Sequence, residues 1–405
     1  MTPAHQRNGE YSPRGWPVVP LGTLCKLVNG DAYRESDWSR SGVPIVRIQN
    51  LNDPGKPFNY WTGSLDDRVV INPGDLLLAW SGTPGTSFGA HVWKGQRAVL
   101  NQHIFRVDLD LSRIDPGWAL FAVNSQLEAM IGRAHGAVGL RHVTRREVES
   151  LSIPLPPAAE QKRIATILTE WLTTVGRARA AAEAQLEAAK ALPAAHLRAA
   201  FSNPQAESWR RRRLAETSRL LPSKSIANDG DAVVQAITTA CLTESGFQPR
   251  GVKTARMWTA DVAECTLSPS EILVARSNTP DLVGRASLFP GARGAVVASD
   301  LTIRIRPGES MVPSFLAYYL SFLYTTGYWK ERAGGASGSM KKITRVQILA
   351  EQIPTPTIAQ QTCTSDSING SMAVAQATCE ALEQQLAAIN ALPAALLRRA
   401  FGGEL

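Results

Sequence analysis

The chain has 405 residues, a length that suggests two to three domains. Apolar residues make up 44% and charged residues 19%, so sizeable cores can form and wholesale disorder is excluded. Lys and Arg (43) outnumber Asp and Glu (35) for a net charge of +8, a modest lead toward an anionic partner.

In chain order, residues 1–13 are polar without an apolar core, and are expected to be a flexible tail rather than a secretion signal. Block one, 14–157, carries strand signals at 43–48, 75–80 and 103–107, then a predicted helix at 118–133. A Gly-rich basic turn follows, GAVGLRHVTR at 136–145. A long helix is predicted over 158–201 and a linker over 202–208. Block two, 209–356, repeats the order: strands at 271–276 and 301–306, a helix at 313–332, and the turn GASGSMKKITR at 335–345. A second long helix and tail take 357–405. LLLAWSGTPG (76–85) parallels ILVARSNTPD (272–281), and NQHIFRV (101–107) parallels SDLTIRI (299–305).

The most informative feature is an internal repeat at an offset of 200. KALPAAHLRAAF (190–201) and NALPAALLRRAF (390–401) share nine of twelve positions. The register continues upstream without a gap, giving 21 identities over the 59 positions from 143 to 201. A packed helix rejects insertions because each added residue rotates later side chains by about 100°. The two segments therefore read as helices held to equal length. Pro-x-Pro opens each helix, and Pro193 and Pro393 break or kink them at the same relative place. Residues 160–190 of a helix span roughly 45 Å. Apolar stripes run through Ile164, Ile167, Leu168, Trp171, Val175 and Leu186, and through Met372, Leu382, Leu386 and Ile389. Mutual antiparallel pairing of the stripes explains both and relates the halves by a pseudo-twofold axis. The second copy opens poorly, with Thr362-Cys363-Thr364 and Gly370, so its helix is expected to begin late or to fray.

No P-loop, H-E-x-x-H, G-x-S-x-G or strand-linked G-x-G-x-x-G occurs. The Asn/Asp-Pro-Pro-aromatic motif of amino-group methyltransferases and a nuclease cluster of paired acids and lysine are also missing. The six histidines lack metal spacing, and the five scattered cysteines contain no C-x-x-C, which fits a reducing cytoplasm. No catalytic residue and no metal ligand is assigned.

A DNA reader needs cations for phosphates and polar side chains for base edges. Block one offers Arg34, Arg47, Asn50, Ser81, Thr83, Ser87, Arg141 and His142; block two offers Arg250, Lys253, Arg276, Asn278, Lys341 and Lys342. Arg141-His142 and Lys341-Lys342 hold equivalent places in the repeat, beside glycines that let the backbone approach a phosphate. The run Arg210–Arg213 reads as a solvated charge cluster or a DNA-backbone contact.

IPLPPAAEQKRIATIL (153–168), its eroded second copy from Ile353, and the ALPAA-x-L-R-x-AF pair resemble the specificity (S) subunit of type I restriction-modification systems. The resemblance covers nearly the whole chain in its order of elements; its specific motifs lie in the two 59-residue copies. It implies an α+β fold: two similar globular α/β-type target-recognition domains separated by a long antiparallel two-helix coiled coil. It implies that each domain reads half of a bipartite, gapped, asymmetric double-stranded DNA site. The helices would set the spacer and dock two modification subunits, which methylate adenine N6. S-adenosylmethionine, ATP and Mg2+ would belong to the modification and restriction/translocase subunits, not to this chain. Two other classes compete on sequence alone: a stand-alone methyltransferase or nuclease with an unfamiliar active site, and a coiled-coil scaffold that binds proteins.

Overall fold

The computed structural model describes residues 12, 14–53, 55–82, 88–126, 131, 141–227, 229–292, 294–337 and 340–405, with backbone alone for 82, 141, 142, 336 and 337. The chain divides into two units. Unit 1 holds Met1–Ala181 with Leu386–Leu405, and unit 2 holds Ala182–Gln385.

In unit 1 the run Leu76–Ala79 is apolar at every position and buried at every position, as a strand covered on both faces requires. It is an inner strand of a four-stranded antiparallel sheet ordered Cys25–Asn29, Ile104–Leu109, Leu76–Ala79, Gly89–Val92. A second sheet is ordered Asn59–Trp61, Val43–Val46, Ala98–Leu100, Val70–Ile71, with Val43–Val46 parallel to Ala98–Leu100. Helix Pro116–Ser125 starts on an Asp115 cap, which accepts from the Trp118 backbone N–H at 3.0 Å. It buries Trp118, whose indole N–H donates to the Pro154 carbonyl at 2.9 Å.

Unit 2 repeats this plan. Its four-stranded sheet runs Ser218–Leu221, Thr302–Pro307, Ile272–Ala275, Ala286–Leu288. Its second sheet runs Lys253–Met257, Ala232–Ile237, Val296–Ala298, again with a parallel pair, Ala232–Ile237 with Val296–Ala298. Its helix is Pro313–Thr325. Buried charge pins the sheets: Glu271 takes Arg304 at 2.9 Å and Arg306 at 2.8 Å, and Arg304 also donates to the Pro222, Glu264 and Thr266 carbonyls.

The first long segment is two helices, Ala158–Lys190 and Leu192–Phe201, with the break at Ala191, two residues before Pro193, the predicted kink. The second is one helix, Ile358–Gly402, with Pro393 inside it. Each proline lacks the N–H its turn would donate; that loss ends the helix in the first copy but not in the second.

The expected late start of the second helix is not found. It begins at Ile358 and runs through Gly370. Thr357 and Gln360 cap it reciprocally, and Gln361, Ser365 and Ile368 are buried. Tertiary anchoring outweighs the weak local propensity.

Buried or half-buried positions along this helix include Gln361, Ser365, Ile368, Met372, Ala375, Cys379, Leu382, Leu386 and Ile389. They alternate in steps of four and three, the heptad spacing of a coiled-coil seam. The same repeat positions of the first helix include Leu168, Leu172, Val175, Ala182, Leu186 and Ala189. Ile164 is buried and Ile167 half-buried, while Trp171 stays 37% exposed.

Within each unit, the start of one helix lies against the end of the other, as in an antiparallel pair. In unit 1, Ile164, Ala165 and Leu168 share a core with Leu396, Leu397, Ala400 and Phe401. In unit 2, Ile368 and Met372 share a core with Leu197 and Phe201. No helix among the described residues is long and apolar enough to cross a membrane.

Candidate nucleic-acid interface

Within each unit, two segments that each have an echo in the other unit pair with one another. Beyond Leu76–Ala79 the chain forms a two-residue strand, Ser81–Gly82, that pairs with Arg141–His142 (His142 opposite Ser81). In unit 2, Ser277–Asn278 follows Ile272–Ala275 and pairs with Met340–Lys342, placing Asn278 opposite Lys341 and Ser277 opposite Lys342. A third strand, Gly334–Ser337, extends that ribbon. The backbone continues identically: Val143 N–H donates to the Trp80 carbonyl at 3.0 Å, and Ile343 N–H to the Arg276 carbonyl at 2.8 Å.

The repeat identities downstream of each ribbon have a shared structural use. Thr144 and Thr344 cap the next short helix through a reciprocal box with Glu147 and Gln347. Arg145 donates to the Leu27 carbonyl and Arg345 to the Leu221 carbonyl, each on the edge strand of its four-stranded sheet. Ile153 and Ile353 are fully buried.

Gln161 and Gln361 are the residues that the sequence reading missed. The Gln161 side chain accepts from Asp115 N–H at 2.7 Å and donates to the Arg113 and Pro156 carbonyls. Gln361 accepts from Val312 N–H at 2.8 Å and donates to the Ser310 and Pro356 carbonyls. Each glutamine clamps the start of a long helix to the loop before its unit's helix, using donor and acceptor together. Its identity across the repeat was the available signal.

The predicted interface residues fall into distinct environments. Thr83 and Ser87 lie outside the described residues, and only the backbone of Arg141 and His142 is described. Arg34 is exposed, its backbone N–H capped by Asp37. The Arg47 guanidinium lies 5.0 Å from the Trp38 ring centre. Arg250 and Lys253 are exposed, Lys342 is exposed and Lys341 half-buried. Arg276 is half-buried and donates to the Asp300 carbonyl. Asn278 donates to Thr239 Oγ1 at 3.0 Å. Arg250 and Asn278 come together on an open cleft of about 500 Å3 that also takes in Thr239, Thr243, Glu244 and Arg285.

Two placements depart from expectation. Asn50 is 3% exposed, and its amide holds its own loop through Arg47 N–H and the Lys56 and Pro57 carbonyls; Ser81 is 3% exposed as well. The run Arg210–Arg213 stays mostly exposed, as a solvated charge run does. Arg211–Arg213 is a strand paired with Gln352–Pro354, with Arg211 on the Tyr319 hydroxyl at 2.7 Å and Arg212 on Glu216 at 3.1 Å.

The titration behaviour of these units follows from burial. Burial, with Glu149 and Asp108 nearby, pushes the Cys25 thiol up to about 12. Burial also holds the His91 imidazole below its usual range. No group of three or more His, Cys, Asp or Glu among the described residues is placed to hold a metal ion.

Residues 13–187 match the family described as "Type I restriction modification DNA specificity domain". The chain is 27% identical over 170 residues to the type I restriction enzyme EcoBI specificity subunit of Escherichia coli. Over this stretch the chain resembles the specificity subunits of type I restriction-modification systems. The EcoBI match takes in 42% of this chain and 35% of that subunit, so it spans about a third of the relative's length. The StySPI specificity subunit of Salmonella potsdam is 22% identical over 426 residues, covering 97% of this chain and 90% of that one. A chain from the structure described as "Structural basis underlying complex assembly and conformational transition of the type I R-M system" shares the fold, with a TM-score of 0.74 at 19% identity, covering 98% of this chain and 100% of that chain. The family likeness thus includes the ribbon of unit 1 and the first long helix, and the fold likeness nearly the whole chain.

Proposed function

We propose that this chain is a specificity subunit, the DNA-recognition component of a type I restriction-modification complex, and is not catalytic by itself. Each unit reads one half of a bipartite, gapped, asymmetric site in double-stranded DNA. The long helices set the spacer and dock two adenine-N6 modification subunits, with restriction/translocase subunits joining the assembly. S-adenosylmethionine, ATP and Mg2+ act on those partners.

The observation that carries this reading is one plan built twice with different outer surfaces. Sheet orders, capping threonines, clamping glutamines and helix-end phenylalanines recur in both units, while the paired ribbon residues differ in identity, Ser81 with His142 in one and Asn278 with Lys341 in the other. Equal frames with unequal surfaces suit two half-sites of different sequence. A few base contacts per unit, each about 1–3 kcal/mol, gain effective concentration when the readers are linked. The helix Ala158–Lys190, with 33 residues, rises about 50 Å at 1.5 Å per residue, a scale that suits half-sites one DNA turn apart, about 34–36 Å. Trp171, Val374 and Cys363 remain exposed on the helices and give partners an apolar surface.

The test is methylation by the reconstituted complex. With modification subunits, the chain directs methyl transfer to a gapped two-part sequence; the purified chain alone with labelled S-adenosylmethionine transfers none. Methyl transfer by the chain alone refutes the proposal.

A further inference from the structure

A two-stranded face of unit 2 is exposed. Strands Lys253–Met257 and Ala232–Ile237 pair antiparallel, with Val233 opposite Arg256 and Gln235 opposite Thr254. Alternate side chains of a strand point to opposite faces. The inward set, Val234, Ala236 and Met257, forms a small core with Cys265 and Val297. The outward set, Val233, Gln235, Thr254 and Arg256, is exposed, Val233 to 66%. Lys253–Met257 is the outer strand of its sheet.

The chemistry of this face is that of a base reader. An antiparallel two-stranded ribbon fits the major groove, about 12 Å wide. There an aliphatic side chain meets the thymine methyl group, a glutamine amide pairs with adenine N6 and N7, and arginine pairs with guanine O6 and N7. Val233, Gln235 and Arg256 supply those three. Successive outward rows are about 6.8 Å apart, two base-pair steps at about 3.4 Å each. Local bonds fix the two polar anchors. Gln235 Nε2 donates to Thr254 Oγ1 at 3.2 Å, and Arg256 Nε donates to the Gly230 carbonyl at 2.6 Å. The latter bond leaves the terminal amino groups of Arg256 as donors.

Charge and continuity favour DNA as the occupant. Arg256 puts a cation on the face itself, opposite Val233. The nearby Asp231 carboxylate is engaged by Thr259 N–H at 2.6 Å. The edge strand begins two residues after Pro249–Gly251, the turn whose Arg250 lines the cleft with Asn278 of the ribbon. In unit 1, buried Pro44 opposite half-buried Tyr60 takes the place of Gln235 opposite Thr254, so this exposed polar pair is particular to unit 2.

We infer that this face is the major-groove reading surface of unit 2, with Gln235 and Arg256 as specificity-determining residues; the inference rests on the DNA-recognition reading above. The full chain assembled with its modification subunits methylates a randomised duplex library, and the modified sequences are read out for wild type, Gln235→Ala and Arg256→Ala. Each variant is expected to lose discrimination about 5- to 150-fold, the range of one lost base contact. The loss falls at a single position of one half-site, the two positions lying about two base pairs apart, with the spacer and other half unchanged. Gln235→Glu, which keeps shape and solubility, shifts the preference from adenine toward cytosine, whose amino group a carboxylate accepts. Arg256→Lys stands in if Arg256→Ala lowers the melting temperature. A wild-type motif retained at full discrimination in all variants overturns the inference alone. A wild type that selects no sequence overturns the DNA-recognition reading with it.

Discussion

Phe201 lies at the end of the first long segment, following the domain of unit 1 in sequence, yet its ring belongs to the core of unit 2. It is 3% exposed and lies among Phe315 at 5.5 Å, Tyr319 at 5.4 Å, Phe322 at 5.6 Å and Trp209 at 6.5 Å between ring centres. Phe201→Ala removes a buried ring and leaves a cavity, at a cost of about 3–5 kcal/mol. Edge-on aromatic contacts, each about 0.5–1.5 kcal/mol, put it toward the upper end of that range. A destabilisation of this size raises the open population of the affected unit by roughly two to three and a half decades. Hydrogen exchange reads it locally. Amides of Thr302–Pro307 and Pro313–Thr325 lose protection, whereas those of Ile104–Leu109 and Pro116–Ser125 keep theirs. The converse substitution, Phe401→Ala, acts on unit 1, where Phe401 lies 4.7 Å from Trp118. Lost protection in unit 1 on replacing Phe201 refutes the assignment of helix ends to opposite units.

Three further outcomes follow from individual residues. Gly370 sits within the second helix with open space around its Cβ position, so Gly370→Ala raises stability by about 0.5–1 kcal/mol, visible as a higher urea midpoint; a lower midpoint contradicts the helix there. Glu271→Ala strands buried Arg304 without its partner and costs about 3–5 kcal/mol, whereas replacing both by apolar residues costs much less; equal losses in thermal melts contradict the ion-pair account. His91 is held neutral in the folded chain, its pKa below the 6.5 of an ordinary histidine. As pH falls through 6.5 the unfolded chain takes up a proton that the folded chain does not, so wild-type stability drops there, and His91→Phe, measured by denaturant titration at pH 7.5 and 5.5, loses less. An identical pH loss in both proteins removes His91 as its source.

The long helices were legible because a seam admits no insertions, so the 200-residue offset survived from Thr144 to Phe201. The ribbons were half legible. Their strands appeared as echoing motifs, but two-residue strands bounded by glycine carry no periodicity, so the pairing of Ser81 with His142 waited on coordinates. The parallel pairing of Val43–Val46 with Ala98–Leu100 was hidden for another reason: its partners lie more than fifty residues apart, and neither sequence names the other. Arg304, in Ile303-Arg304-Ile305-Arg306, reads as an outward strand position, whereas both sheet faces are covered and Glu271 receives the charge. The start of the second helix was misjudged because propensity counts residues singly, while Gln361, Ser365 and Ile368 are held from outside the helix. Asn50 was misplaced by its chemistry, since an amide that suits a base edge equally suits the carbonyls of its own loop.

The most direct measurement exchanges one reader and leaves the frame intact. Residues 14–157 are replaced by the corresponding block of another specificity subunit, and methylated adenines are mapped across the host genome. The expected outcome is a gapped motif in which one half changes while the other half and the spacer length persist. A motif altered in both halves, or one whose spacer changes, would contradict two independent readers held on a shared helical frame.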